Sequence, residues 1–383
     1  MTKKTVLIIV PNYFPGYLSG GVARTILNTT DWLGDEFDFL IVTRDRDLGD
    51  DRPYPGVPRG TWVQLGKSKV RYLAPDELGS QALAALINAT PHDILQLNSF
   101  FDPVFTIRTL LLLRRGRIAP PRLLLSPRGE FGWGSLRLKY PKKKIYIELS
   151  KLAGFYGRVS WHASSRDEAA DIGKALRLPA SGVHCALDLP IRDAGSPAPA
   201  APGGDRLRIV YLARLTREKN LDGALRILQG VTEPVSFDIV GPQEDPKYWA
   251  ECQALLAALP PNVEARYRGP VSPEQVFDTL ALYDLCLLPS HGENYGHVIA
   301  ESLSVGTRVL ISQATPWRNL ADDGVGWDID LADTARFVDV IETLARQTSA
   351  ERAAVRPAVR RAATVRLFDP VALEDNRRLY STL

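Results

Sequence analysis

Leu285-Cys286-Leu287-Leu288-Pro289, followed at once by Ser290-His291-Gly292-Glu293-Asn294-Tyr295-Gly296-His297-Val298-Ile299-Ala300-Glu301, is the stretch on which the fold turns. A short unbroken apolar run reads as a strand buried on both faces, the kind a parallel sheet uses. The glycine-bearing turn after it opens into a helix, so flexible backbone and a helix N-terminus stand at the strand's C-terminal end, where a doubly wound sheet presents ligands. Eight steps of about 100° would set the two acids about 80° apart on one helix, so Glu293 is assigned to the turn and Glu301 to the helix. The amides around Gly296, His297 and Val298 lack intrahelical partners at such a start and suit a diphosphate. Two carboxylates beside that cradle suit hydrogen bonds from sugar hydroxyls, one on a transferred sugar and one on a ribose. The bland alternative is a solvated loop residue and a surface helix residue.

The same alternation of short apolar strands and helix-period segments extends in both directions. Strands are expected at Val6–Pro11, Phe37–Thr43, Ile94–Asn98, Arg122–Ser126, Val159–Ala163 and Val183–Ala186, with Arg46–Gly60 as an irregular Gly/Pro/Asp-rich loop. Composition then breaks at Asp193–Gly204, a run of small residues and prolines that reads as an extended linker. The pattern restarts with Leu207–Ala213, Ser236–Val240, Val263–Tyr267, Leu285–Pro289 and Arg308–Ser312. Asp369 as N-cap and Pro370 at the first helical position begin a last helix, Val371–Leu383, expected to cross back to the first domain. The fold expected is α/β, with two Rossmann-like doubly wound domains facing a cleft: residues 1–190 joined by the crossing helix 366–383, and residues 206–365.

With 383 residues, 45% hydrophobic and 24% charged, the chain has apolar surface for two cores. Cys185, Cys252 and Cys286 lie far apart and form no CxxC pair, which indicates a reducing compartment, with neither a disulfide framework nor a zinc site. The apolar run after Lys3-Lys4 is too short for a signal peptide and ends at Pro11; no run approaches the length of a transmembrane span. The net charge of +3 is mild, but thirteen basic residues face only Glu130 and Glu148 between Arg108 and Arg158. Within that segment Arg137 and the run Lys139-Tyr140-Pro141-Lys142-Lys143-Lys144 suit an anionic membrane surface or a lipid-diphosphate acceptor, or form an ordinary solvated helix face. No nucleic-acid recognition motif accompanies them.

Further candidates stand at strand ends. Arg214-Leu215-Thr216-Arg217-Glu218-Lys219-Asn220 follows Leu207–Ala213. A departing nucleotide diphosphate gains negative charge as the glycosidic bond breaks, so fixed cations stabilise the transition state more than the ground state. The plainer alternative for Arg214 and Lys219 is a surface ion pair with Glu218, and Arg217 reads as a solvated charge. Gly20-Gly21 before the helix Val22–Leu33 would let a ligand approach backbone at a helix N-terminus. Arg128 and Glu130, in the loop after Arg122–Ser126, are also candidates, with a structural loop salt bridge as the alternative. His162 and His184 lie in apolar strands and read as core or edge residues.

Glu293 through Glu301, with its Glu-x7-Glu spacing, resembles the signature of retaining glycosyltransferases, and the whole chain resembles glycosyltransferase family 4 of the GT-B fold. The resemblance takes in Ser19-Gly20-Gly21, Arg214 with Lys219, Gly241 and the terminal helix. It implies that Glu293 contacts the donor sugar, that Glu301 binds the ribose, and that Arg214 and Lys219 are the cation pair. It places Gly20 and Gly21 toward the donor phosphate, with Asn294, Tyr295, Gly296, His297 and Val298 lining the donor. The base is expected near Gly241-Pro242-Gln243 and Arg268-Gly269-Pro270. The family loop usually reads Glu-Gly-Phe-Gly where this chain has Glu293-Asn294-Tyr295-Gly296, so no sugar is implied. It also places Arg128 and Glu130 on the acceptor side, in a loop where many relatives carry a histidine. No Asp-x-Asp motif occupies a comparable place, so no metal or other cofactor is expected. The resemblance thus implies a cytoplasmic enzyme, peripheral at the inner membrane face if the basic run binds lipid, that moves sugar with retention onto a glycan or lipid-linked acceptor in polysaccharide biosynthesis. A nucleotide-sugar epimerase of the same fold and a non-catalytic sugar-nucleotide binder are the alternatives.

Overall fold

A computed structural model describes residues 3–16, 20–132, 136, 140–192, 204 and 206–383; Ser19, Arg137, Lys139 and nearly all of the linker expected at Asp193–Gly204 lie outside the described residues. The chain divides into two units, Met1–Arg192 with Asp369–Leu383, and Asp193–Phe368.

The first unit is built on β1 (Thr5–Ile9), β2 (Asp38–Arg44), β3 (Trp62–Leu65), β4 (Ser68–Leu73), β5 (Ile94–Asn98), β6 (Arg122–Ser126), β7 (Val159–Ala163) and β8 (Val183–Cys185). They form one sheet in the order β3-β4-β2-β1-β5-β6-β7-β8. Its helices are α1 (Gly21–Leu33), α2 (Ser80–Ala89), α3 (Arg108–Arg114), α4 (Tyr140–Leu152) and α5 (Arg166–Leu176). Val6, Leu7, Ile8 and Ile9 are all buried, as a central parallel strand requires. The hairpin β3–β4 was not expected from the sequence: β4 runs parallel to β2, and β3 adds an antiparallel edge. Strand order reverses between β1 and β5, so the segments after these two strands flank the switch point.

The second unit contains β9 (Leu207–Leu212), β10 (Val235–Val240), β11 (Val263–Gly269), β12 (Leu285–Leu288), β13 (Arg308–Ser312) and β14 (Gly326–Ile329). Their order is β11-β10-β9-β12-β13-β14, and every pair is parallel. Its helices are α6 (Leu221–Gln229), α7 (Pro246–Ala257), α8 (Val276–Ala281), α9 (His297–Ser304), α10 (Thr334–Ala345), α11 (Ser349–Ala354) and α12 (Arg356–Leu367). Strand β14 is a further addition to the sequence reading. The reversal here lies between β9 and β12, so the segments after those strands bound the crevice that a Rossmann sheet offers a nucleotide.

Helix α13 (Pro370–Thr382) closes the chain and belongs to the first unit. The Asp369 carboxylate accepts from the Val371 amide at 2.8 Å, and Pro370 occupies a first-turn position where a missing N–H costs nothing. Tyr380 packs between Phe37 and Phe39, with ring centroids 5.6 Å from each, and its hydroxyl donates to Gln96 Oε1 at 3.0 Å.

Candidate functional site

Two contacts draw the two segments at the second switch point together, and a third steadies the first segment against its own strand. The His291 amide donates to the Glu218 carbonyl at 2.8 Å, Asn220 Nδ2 donates to the Pro289 carbonyl at 2.8 Å, and the Tyr211 hydroxyl donates to the Lys219 carbonyl at 3.0 Å. Asn220 takes a left-handed conformation, φ 57°, which asparagine tolerates better than most residues. Its Oδ1 accepts from the Gly223 amide and so caps α6 while its Nδ2 spans the crevice. Lys219 and Glu293, 74 positions apart, thereby meet: Lys219 Nζ lies 2.7 Å from both carboxylate oxygens. Their side chains keep 16% and 9% exposure, so the pair is neither fully solvated nor sealed in the core.

Arg214, on the same segment, does not join Glu293. It pairs with Glu244 at 3.1 Å across the bridge between Leu215 and Gln243, so the expected alternative partner for both cations, Glu218, is used by neither. Glu301 lies buried in the second turn of α9. Gly296 caps that helix at φ 83°, a left-handed conformation that favours glycine. The Trp317 indole N–H donates to the Tyr295 carbonyl at 2.5 Å, and the Tyr295 ring lies 5.7 Å from Trp317 and 4.9 Å from His297. Asn294, Tyr295, His297 and Val298 are half-buried around this helix start.

Gly241 and Arg268 fall apart from one another in role. A Cβ on Gly241 would stand 1.8 Å from the Ala213 carbonyl oxygen, so the glycine allows the ends of β9 and β10 to close together. Arg268 sits where the pairing of β10 with β11 skips a residue, and its Nε is 3.0 Å from Asp238 Oδ2, which also accepts from the Tyr283 hydroxyl. Its guanidinium is thus paired with a mid-strand carboxylate while half of the side chain stays exposed.

Most polar groups at the rim of the first sheet are engaged by protein, although Asn98 Nδ2 is buried without a partner. Gly20, at φ 85°, caps α1, which begins one residue earlier than expected. Arg128 Nε donates to Asn98 Oδ1 at 3.0 Å, and its Nη1 lies 3.2 Å from Asp188 Oδ1; Asp188 also accepts from the Thr25 hydroxyl. Burial pushes the Asp188 carboxyl up to about 6, with Arg128 opposing. Both oxygens of Glu130 are engaged, one by the Ser99 hydroxyl and the other by the amides of Phe100 and Phe101, so it ties two loops together where an acceptor contact was expected. Burial raises its pKa against those bonds. His162 is buried between the Ser126 hydroxyl at Nδ1, 2.8 Å, and the Ala186 carbonyl at Nε2, 3.0 Å. Among the described residues no group of three or more His, Cys, Asp or Glu is arranged to hold a metal ion.

Sequence reasoning missed Glu244, Tyr211, Trp317 and Asp188, whose parts depend on long-range pairing. Asn220 was within reach, because an asparagine just before a helix-period run is a capping signal.

Residues 197–361 match the family described as glycosyl transferases group 1. The matched residues lie within the second unit, and the match makes the chain a glycosyltransferase by class. Solved structures similar to the whole chain include sucrose-phosphate synthase from Thermosynechococcus elongatus, at TM-score 0.73 and 14% identity over 99% of both chains. Anabaena Alr3699/HepE, in complex with UDP and glucose, follows at 0.67 and 14%, again over 99% of both. WaaG, a glycosyltransferase involved in lipopolysaccharide biosynthesis, matches at 0.64 and 15% over 94% of this chain and 95% of that one. At these identities the likeness shows the fold, and the fold is GT-B. No curated protein matches the chain in sequence.

Proposed function

We propose that this glycosyltransferase is a retaining, metal-independent enzyme that moves a sugar from a nucleotide-diphosphate sugar onto a glycan or lipid-linked acceptor in the cytoplasm. Polysaccharide or glycoconjugate assembly is the setting proposed for it. In this reading residues 206–365 hold the donor, and residues 1–190 with 366–383 take the acceptor. The observation that carries it is the Lys219–Glu293 pair, 2.7 Å apart at the switch point of a glycosyl transferases group 1 domain.

The chemistry follows from what these groups can exchange. Lys219 has three N–H donors, and a carboxylate has about four acceptor positions. Lys219 therefore retains a donor for a phosphate oxygen while Glu293 accepts from a sugar hydroxyl. Arg214 is part-exposed and shares its carboxylate partner with water, so an incoming diphosphate would displace Glu244 at low cost. As the anomeric carbon–oxygen bond breaks, charge builds on the leaving phosphate, and both cations stabilise that charge more than the bound donor. Glu301 is assigned the ribose, and the amides at Gly296, His297 and Val298 the diphosphate. Retention, with the leaving phosphate helping to deprotonate the acceptor hydroxyl, follows from the Glu293–Glu301 resemblance. The UDP and glucose bound to Alr3699/HepE support a nucleotide sugar as the ligand class.

Titration of uridine, guanosine and adenosine diphosphate sugars by calorimetry tests the reading. One donor should bind and be consumed only when an acceptor is added. Failure of all three to bind would remove the donor site, and acceptor-independent conversion of the sugar would identify an epimerase.

A further inference from the structure

Helix α4 exposes an apolar stripe for which the donor chemistry has no use. Ile145, Leu149 and Leu152 are 59%, 60% and 84% exposed. Steps of four and three residues set these side chains within about 60° of one another on the helix. The opposite face meets the core through Ile147, buried at 6%, and Ser150, whose hydroxyl bonds back to the Tyr146 and Ile147 carbonyls. The stripe is therefore not the side by which the helix holds to its own unit.

Cations frame it. Lys142 and Lys144 are exposed near the helix start, and the one acid of the helix, Glu148, is matched by Lys151 at 3.1 Å. The helix thus carries four lysines against one glutamate. Three neighbouring aliphatic side chains in water are an unusual expense for a soluble surface, and lysines beside them set the sign of whatever covers them.

We infer that this face docks on an anionic lipid bilayer. In that arrangement α4 lies in the plane of the interface, Ile145, Leu149 and Leu152 enter the acyl boundary, and the lysine stems reach up to lipid phosphates. A second copy meeting the same face about a two-fold axis would set lysine against lysine, which argues against self-association. The inference stands on the first unit alone and does not require the donor assignment, although a lipid-linked acceptor would give it a purpose.

Co-sedimentation of the full chain with phosphatidylcholine vesicles, with and without phosphatidylglycerol, tests it. The wild-type chain should bind the anionic vesicles at low salt, and raising salt should weaken binding about tenfold. Leu149→Glu/Leu152→Glu should bind about tenfold less or worse, and Lys142→Glu/Lys144→Glu should lose the preference for anionic lipid. Both variants should keep the wild-type melting temperature, since the altered side chains are exposed. Absence of binding at low salt, or wild-type binding by the leucine variant, would overturn the inference, as would a wild-type dimer that the leucine variant dissolves. Loss of donor binding with vesicle binding intact would count against the proposed reaction and leave the docking face standing.

Discussion

At the rim of the first sheet Arg128 is 7% exposed, fixed by Asn98 and Asp188, and surrounded by carboxylates that already hold amides and hydroxyls. At the rim of the second sheet Lys219 and Glu293 have mainly each other, and backbone contacts instead of further charges hold their segments. The second place lies where strand order reverses, the first lies one strand beyond such a reversal, and both are rich in ionisable groups. The contrast separates charges that hold shape from charges that can change partners. A saturated ion is costly to disturb, whereas a pair with spare donors and acceptors can take a ligand without leaving an orphan behind.

The largest expected effect is on the saturated side. Arg128→Ala would leave Asp188 buried without its cation and should lower stability by about 3–5 kcal/mol, read from denaturant unfolding. Near wild-type stability with altered acceptor use would break the comparison and return Arg128 to the ligand side.

His162 sharpens it through pH. Burial pushes its imidazole down to about 3 from 6.5. The unfolded chain therefore takes up the proton first, so this contribution is complete above about pH 6.5 and is lost as pH falls toward 3. His162→Gln should flatten that stability profile by up to about 1.4 kcal/mol per pH unit relative to wild type. Asp188 acts with the opposite sign: its raised folded pKa gives stability that is lost as pH rises through about 6. That contribution is common to both proteins, so an unchanged difference profile would show that His162 is not held neutral by burial.

Asn220→Asp is the smaller test on the exchangeable side. The variant keeps the acceptor that caps α6 and removes the donor to Pro289, so stability should fall by about 1–2 kcal/mol and turnover by about tenfold as the Lys219 and Glu293 segments drift. A stability loss with turnover intact would make Asn220 structural only. Arg217, about half-exposed and paired with Glu251 of similar exposure, should tolerate alanine within about 0.5 kcal/mol and without effect on donor binding.

How much of this could be read from the chain follows from where its information lies. Ile94–Asn98, Arg122–Ser126, Val159–Ala163 and Arg308–Ser312 were expected with the bounds they have, because each is a mostly apolar stretch of strand length. Ser68-Lys69-Val70-Arg71-Tyr72-Leu73 alternates only from Lys69 to Tyr72, and Gly326-Trp327-Asp328-Ile329 is four residues long. Neither segment carries a local signal that outweighs the turns beside it. At the site, Gly296 and the helix start were legible as local chemistry. That Lys219 meets Glu293 while Arg214 meets Glu244 was not, because those choices depend on which strands lie side by side. The skipped pairing of Arg268 with β10 and its Asp238 partner are likewise properties of the assembled sheet.

The central claim is that Lys219 and Glu293 act together on one sugar diphosphate. It is tested most directly by measuring nucleotide-sugar affinity for the wild type, Lys219→Ala, Glu293→Gln and the double variant. Coupling is predicted, with each single change weakening binding about tenfold or more and the double variant differing from their sum by about 1 kcal/mol or more. Wild-type affinity in both single variants would contradict the account.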